Sequence, residues 1–254
     1  MKEAFKSKNF EAGMEQLWAN YSAAIPSLMR HMALYFAQFG PAADTNLYRR
    51  LIRALKRKEL LSSTALASLN YDLVLELSAS AEGVSVDYFS DPFKQEVATV
   101  WKLHGSCNFL PSGIQATSGV TFTGGVVFNT GLQPGNPNDA VSFCLGDTSL
   151  YPSMCLYLPG KHVQIGASAL KAIQDRWKAA VLGATQVLII GVAPNYEDTH
   201  IWQPLGATPA EIAYVGDCSQ FKTWAATYRS GSGTSTFLGE RWEDAFLATV
   251  EFIR

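Results

Sequence analysis

The stretch from Ser62 to Glu76, SSTALASLNYDLVLE, sets the organisation of the chain. A short run with strand propensity, Ala65 to Leu69, ends at the polar triplet Asn70-Tyr71-Asp72, and an apolar segment that can be helical follows at once. In an open α/β sheet, ligands bind in the crevice at the carboxyl ends of the strands. Polar side chains at this position are therefore candidates for chemistry.

Other apolar runs end in the same way. They are Val97 to Leu103 before His104-Gly105-Ser106, Val187 to Ile190 before Gly191-Val192-Ala193-Pro194, and Glu211 to Val215 before Gly216-Asp217. Helical or loop-rich stretches separate these runs, which predicts one mainly parallel, doubly wound α/β sheet of the Rossmann-like type with helices on both faces. Because parallel strands place their carboxyl ends on one edge, we expect Asn70, Asp72, His104 and Gly191 to converge there.

The rest of the chain divides into an amino-terminal helical segment, residues 1–43, and an α/β domain, residues 44–254. A lobe rich in Gly and Pro is inserted at about residues 107–160, where Gly124-Gly125 predicts a hairpin turn. Asp44-Thr45 predicts the cap of a helix with one basic face, which either is solvated or meets phosphates or a partner protein. Further predicted elements are an edge strand at Val84 to Phe89, a helix capped by Ser168 and a strand at Thr236 to Leu238.

Composition excludes several classes of function. The chain has 254 residues, of which 48% are hydrophobic, and a net charge of -2, so it can bury a full core and is a poor polyanion binder. We expect no direct nucleic acid binding. No apolar stretch is long enough for a secretory signal or a membrane span, which predicts a cytoplasmic protein without membrane contact. The four cysteines lack paired CxxC spacing, which predicts reduced thiols and no bound zinc.

Three blocks, LASLNYDLVLE, WKLHGS and VLIIGVAPNYED, occur in this order. They resemble signature blocks of the sirtuin-like NAD-consuming domains found in many bacterial antiphage defence proteins. The resemblance covers roughly Asp44 to the carboxyl end, and the ordered triple is more specific than any single block. It implies a sirtuin-like fold, NAD as the substrate, and hydrolysis that releases nicotinamide and ADP-ribose.

By this resemblance, Asn70 and His104 fall on the two catalytic positions. Loss of nicotinamide passes through an oxocarbenium-like state, so the ribose and a water must be positioned and a proton accepted. An Asn amide can hold the ribose or the water, and a His imidazole can accept the proton. The expected nucleotide-binding residues are Asp72, Gly105, Ser106, Gly191, Ala193 and Asp217. A structural alternative stays open, since Asn or Asp after a strand can merely cap a helix; His31, His162 and His200 have no motif support.

The chain departs from the family pattern in three ways. Leu69 replaces the usual Thr or Gln, Ala193 replaces the usual Ser, and no strand followed by a Gly-Ala-Gly phosphate turn precedes Asn70. The missing turn suggests a downstream start, weak nucleotide binding, or a site completed by a protein partner or a second copy. It also leaves open an inactive nucleotide-binding or scaffold subunit of a defence complex. The zinc ribbon of sirtuin deacylases is absent as well, which makes protein deacylation the most distant alternative.

Overall fold

The computed structural model describes residues 10–41, 44–89, 97–113, 128–156 and 161–254, which form a mixed α/β fold. The helices are α1 Phe10–Tyr21, α2 Ile25–Phe36, α3 Leu47–Arg57, α4 Val74–Ala81, α5 Pro137–Leu145, α6 Ala167–Gly183, α7 Thr199–Ala207, α8 Cys218–Tyr228 and α9 Trp242–Phe252. The strands are β1 Ala65–Ser68, β2 Ser85–Asp87, β3 Val97–Lys102, β4 Phe109–Ser112, β5 Gly131–Pro134, β6 Gln186–Ile190, β7 Glu211–Val215 and β8 Ser235–Gly239.

The parallel strands form two three-stranded sheets. In the first sheet, β3 is the central strand and pairs with β1 and β2. In the second sheet, β7 is central and pairs with β6 and β8. The second sheet is a continuous β6-α7-β7-α8-β8 succession, in which each helix carries the chain back to start the next parallel strand. Strands β4 and β5 form a separate antiparallel pair.

The prediction of one continuous sheet requires a correction. No ladder joins the first sheet to the second among the described residues, so the parallel strands belong to two sheets. The two sheets nevertheless share one hydrophobic core, to which Val100 and Trp101 of β3 and Ile212 and Tyr214 of β7 contribute. Strand propensity is a local property, whereas pairing is decided by which segments meet in the folded chain. The coarser prediction of an α/β fold with mainly parallel sheets and flanking helices, consistent with a Rossmann-like class, is confirmed.

Most predicted elements occur close to their expected bounds. The four predicted central runs correspond to β1, β3, β6 and β7, and the predicted short strands correspond to β2 and β8. Two helix caps differ from expectation. The Asn46 side chain caps α3 in place of Asp44, and Gly166, at a φ of 66°, precedes α6 in place of a Ser168 cap. The hairpin predicted around Gly124-Gly125 falls outside the described residues.

The amino-terminal helices pack against the inserted lobe. Met14 and Met29 share a second buried cluster with Ala140 and Met154 of the lobe. Arg30 of α2 strengthens this contact because its guanidinium donates to the carbonyl oxygens of Cys144, Gly146 and Thr148, at and beyond the end of α5. A helix leaves its last carbonyls without intrahelical donors, so a cation at that end is stabilising.

The basic face of α3 is occupied by contacts within the chain. Arg49 and Arg53 both form salt bridges with Glu82, which follows α4. Lys58 donates to the carbonyl oxygens of Val250 and Ile253 near the carboxyl end. These contacts hold α4 and α9 against α3, so much of the basic face serves the fold. In the parts of the chain that the structure describes, no helix has the length and apolar character to cross a membrane.

Candidate functional site

The strand register brings the two predicted catalytic residues to the same level of the first sheet. Ser68, the last residue of β1, pairs with Lys102, the last residue of β3. Asn70 and His104 each lie two residues beyond that pair, at the carboxyl ends of neighbouring parallel strands. Asn70 is exposed, whereas His104 is only 7% exposed. The register therefore brings these two chain segments to the same edge of the first sheet, and the convergence of the wider set of site residues stays a prediction.

Asp72 has a structural task at this edge. Its Oδ1 atom accepts a hydrogen bond of 3.0 Å from the Val74 amide at the start of α4, and its carbonyl oxygen accepts one from the Lys102 ammonium. Lys102 is fully buried and also pairs with Glu76 at 3.2 Å. Burial of a charge is costly unless it is paired, so Lys102 fixes the backbone of the Asn70-Tyr71-Asp72 turn. A lysine inside the apolar run Val97 to Leu103 was the sequence signal for this contact.

His104 meets a second histidine that sequence reasoning did not select. Its Nε2 atom lies 3.1 Å from Nε2 of His200, in the first turn of α7, and Asp198 lies immediately before that helix. One of the two facing nitrogens must carry a proton for a hydrogen bond to form. His200 and Asp198 follow β6 in sequence, so this contact joins the carboxyl edges of the two sheets. The sequence Asp198-Thr199-His200, which begins at the last residue of the third signature block, was the only sequence signal.

Burial governs the protonation of both histidines. Desolvation lowers the pKa of His104 to about 3, and the positive fields of His200 and Lys161 act in the same direction. Desolvation also lowers the pKa of His200, which the nearby Asp198 carboxylate partly opposes. Both imidazoles are therefore neutral at pH 7. A neutral imidazole has a lone pair with which to accept a proton or bind a cation.

The backbone of the turn after β6 is accessible to a ligand. Gly191 has a φ of 68°, and none of the described residues has an atom within 4 Å of the position that a Cβ would occupy there. Its amide donates to the Val215 carbonyl oxygen at 2.8 Å, which fixes the turn to the end of β7. Ala193 is exposed two residues later. Both predicted residues therefore lie at the carboxyl edge of the second sheet, where a ligand can approach the backbone closely.

Asp217 lies at the same edge, two residues past the end of β7. Its carboxylate caps α8 by accepting hydrogen bonds of 2.9 Å from the Gln220 amide and the Ser219 hydroxyl. These bonds lower the pKa of Asp217, so it is ionised at neutral pH. Asp217 is exposed and lines a surface cleft with Lys222 and Arg241. Capping and ligand contact are compatible here because a carboxylate can accept several hydrogen bonds.

Gly105 and Ser106 face the protein interior. Gly105 has a φ of 82°, and a Cβ on it would lie 2.1 Å from the Ser153 carbonyl oxygen. Ser106 is fully buried, and its amide donates to the same oxygen at 2.9 Å. Both residues therefore dock the inserted lobe onto the end of β3. The glycine in the His-Gly-Ser turn is explained by this close approach of the lobe backbone, and a ligand contact at either residue stays a prediction.

The close contact at Gly105 makes a substitution there costly. We expect Gly105→Ala to lower the free energy of unfolding by about 3 kcal/mol or more, because positive φ and a backbone clash act together. Gly113→Ala is the matched control, since Gly113 has a φ of 79° but, in the part of the chain that the structure describes, no atom lies within 4 Å of its Cβ position. It should cost only about 1–2 kcal/mol. Urea unfolding followed by circular dichroism measures both, and equal losses would exclude the clash.

No protein-family model matches this chain, and no curated protein matches it either. The likeness to sirtuin-like domains therefore depends on the three sequence blocks. In the folded chain, those blocks supply the carboxyl ends of β1, β3 and β6.

Proposed function

We propose that this chain hydrolyses NAD and releases nicotinamide and ADP-ribose. The observation that carries the proposal is the pair of Asn70 and His104, each two residues past the end of neighbouring parallel strands. One offers an exposed amide and the other a buried neutral imidazole, which is the combination that the reaction needs. The resemblance of the three blocks extends the proposal to a role in antiphage defence, with a protein partner or a second copy of the chain taking part.

The proposed roles follow from the chemistry of each group. The Asn70 amide holds a ribose hydroxyl and the attacking water, because an amide can donate and accept at once. We assign to His104 the acceptance of the proton that the water loses. Burial keeps this imidazole unprotonated at neutral pH and also makes it a weaker base than an exposed histidine. Asp72 helps to hold the ribose at the nicotinamide end from the turn that Lys102 fixes. Gly191 and Ala193 give the nucleotide room beside the second sheet, and Asp217 accepts from the adenosine ribose.

A second candidate is a nucleotide-binding or scaffold subunit that does not cleave NAD. One observation favours it: the described residues before β1 are helices and their connections, with no strand leading into a glycine-rich turn. Such a turn supplies backbone amides for the pyrophosphate. If it is supplied by another chain, the hydrolase is active only in the assembled complex. Protein deacylation remains a more distant alternative.

The experiment is to incubate the purified chain with NAD, alone and with its native partner and trigger, and to separate the products by chromatography. A hydrolase releases nicotinamide and ADP-ribose in equal amounts without an acylated peptide. A scaffold binds NAD in equilibrium dialysis and leaves it intact. A deacylase releases nicotinamide only when an acylated peptide is present. Intact NAD in the complete, triggered assembly would refute the hydrolase proposal.

A further inference from the structure

Two imidazoles and one carboxylate meet where the carboxyl edges of the two sheets come together. His104 follows β3, whereas Asp198 and His200 belong to the start of α7. The two Nε2 atoms are 3.1 Å apart. One ring nitrogen of each histidine and one carboxylate oxygen of Asp198 all lie within 4.8 Å of one another. His104 and Asp198 are buried, and His200 is partly exposed. The cluster therefore has a buried side and a side that small solutes can reach.

The spacing of these atoms fits a shared cation. Two imidazole nitrogens bound to one tetrahedral Zn²⁺ lie roughly 3.3 Å apart, given metal–nitrogen distances of about 2.0–2.1 Å. The 3.1 Å separation of the two Nε2 atoms is close to that value. Two imidazoles and a carboxylate, with a fourth position open, are a common ligand set for Zn²⁺. We propose that His104, Asp198 and His200 bind a transition-metal ion of the Zn²⁺ class.

The backbone around the three residues is held in place before any ion binds. The His104 carbonyl oxygen accepts from the Cys155 amide at 2.8 Å. The Asp198 carbonyl oxygen accepts from the amides of Ile201 and Trp202 in the first turn of α7, at 2.9 and 3.0 Å. Ligands on a fixed backbone lose little conformational entropy when they bind an ion, which favours binding.

Lys161 lowers the affinity of the site for a cation. Its ammonium lies 3.9 Å from Oδ1 of Asp198, so it competes with an incoming cation for that carboxylate. This competition makes the bound ion exchangeable, in contrast to the ion of a structural zinc site. The site also differs in kind from the cysteine-based zinc ribbon that the cysteine spacing excludes. Zinc bound here would therefore give no support to a deacylase.

Occupancy of this site affects the proposed hydrolysis, and this consequence rests on the proposed function. An ion held by His104 uses the same Nε2 lone pair that must accept a proton from water. The ion therefore inhibits nicotinamide release reversibly, and removal of the ion restores it. The site would then link NAD consumption to the concentration of available transition metal.

Metal binding is tested on the chelator-treated full chain with Co²⁺ alone, which reports tetrahedral coordination by its visible absorption. We expect one Co²⁺ per chain, displaced by Zn²⁺. His200→Ala and Asp198→Asn should each weaken binding by about a hundredfold or more. Loss of a residue that binds the metal directly should lower the affinity at least as much as loss of a residue that only orients a ligand. Lys161→Met should tighten binding by about tenfold or more, because a competing charge is removed. His162→Ala removes an exposed histidine outside the cluster and should leave binding unchanged.

The outcomes separate this inference from the proposed function. Loss of binding in His200→Ala with a wild-type circular dichroism spectrum supports the site, as does tighter binding in Lys161→Met, which retains all three ligands. Absence of Co²⁺ binding in the wild type, or equal loss in His162→Ala, overturns the site even if nicotinamide is released. Co²⁺ binding by the chain, combined with no nicotinamide release from the complete assembly after chelation of metal, upholds the site and refutes the hydrolase. Nicotinamide release unaffected by saturating Zn²⁺ overturns the inhibitory role.

Discussion

His104→Ala and Asn70→Ala are each expected to lower nicotinamide release by about a hundredfold or more, the usual scale for losing a general base or a positioning group. In the proposed reaction the two residues have different roles: His104 accepts the proton, and Asn70 holds the ribose and the water. The measurement is a chromatographic time course with NAD, made with the native partner and trigger and after chelation of metal. Neither change should abolish folding, because Asn70 is exposed and His104 lies past the end of its strand.

Matched controls show whether these losses are specific. His162→Ala and Asn20→Ala each remove the same type of side chain from an exposed position outside the site, and both should retain wild-type rates. Thermal unfolding by circular dichroism is recorded for all four variants. Full activity in His104→Ala and Asn70→Ala would mean that other residues perform the chemistry. Unfolding of either variant would instead assign that residue a structural role, as a cap or a packed side chain.

Arg229→Met is expected to have the largest effect on stability. Arg229 is 4% exposed, and its guanidinium donates to five acceptors: the carbonyl oxygens of Leu205, Thr208, Ala210 and Gly233, and the hydroxyl of Ser235. Methionine keeps much of the volume but leaves these groups without their donor. We expect the free energy of unfolding to fall by about 3–5 kcal/mol, measured by urea unfolding, because each unsatisfied buried polar group costs about 1–3 kcal/mol.

The guanidinium geometry itself can be tested with two further variants. Arg229→Lys keeps the charge but replaces a planar fork by a single ammonium, so it should recover only part of the lost stability. Arg57→Met changes an exposed arginine at the end of α3 and should shift the free energy of unfolding by no more than about 0.5 kcal/mol. A loss below about 1 kcal/mol in Arg229→Met would contradict this account, since the acceptors would then have found other donors.

Sequence alone determined most of the local structure and the position of the candidate site. Apolar runs such as Glu211 to Val215 are strands with the predicted bounds. They are predictable because a strand that is buried on one face has alternating apolar residues, and a strand that is buried on both faces has a continuous apolar run. The position of Asn70 and His104 past the ends of neighbouring strands was predictable for the same reason. Each directly follows such a run, and parallel strands end at one edge.

Tertiary structure alone decided which distant residues complete the site and the fold. His200 and Asp198 meet His104 between the two sheets, and the Ser153 backbone lies beside Gly105. Arg229 joins the last turn of α7 to the loops that lead into β7 and β8. The division of the parallel strands into two sheets was likewise decided by the tertiary structure. Each of these contacts depends on how far one packed segment is turned and shifted against another. Residue type and local periodicity do not predict this relative placement of segments. It is determined by close packing and by hydrogen bonding of buried polar groups, and both depend on the complete core.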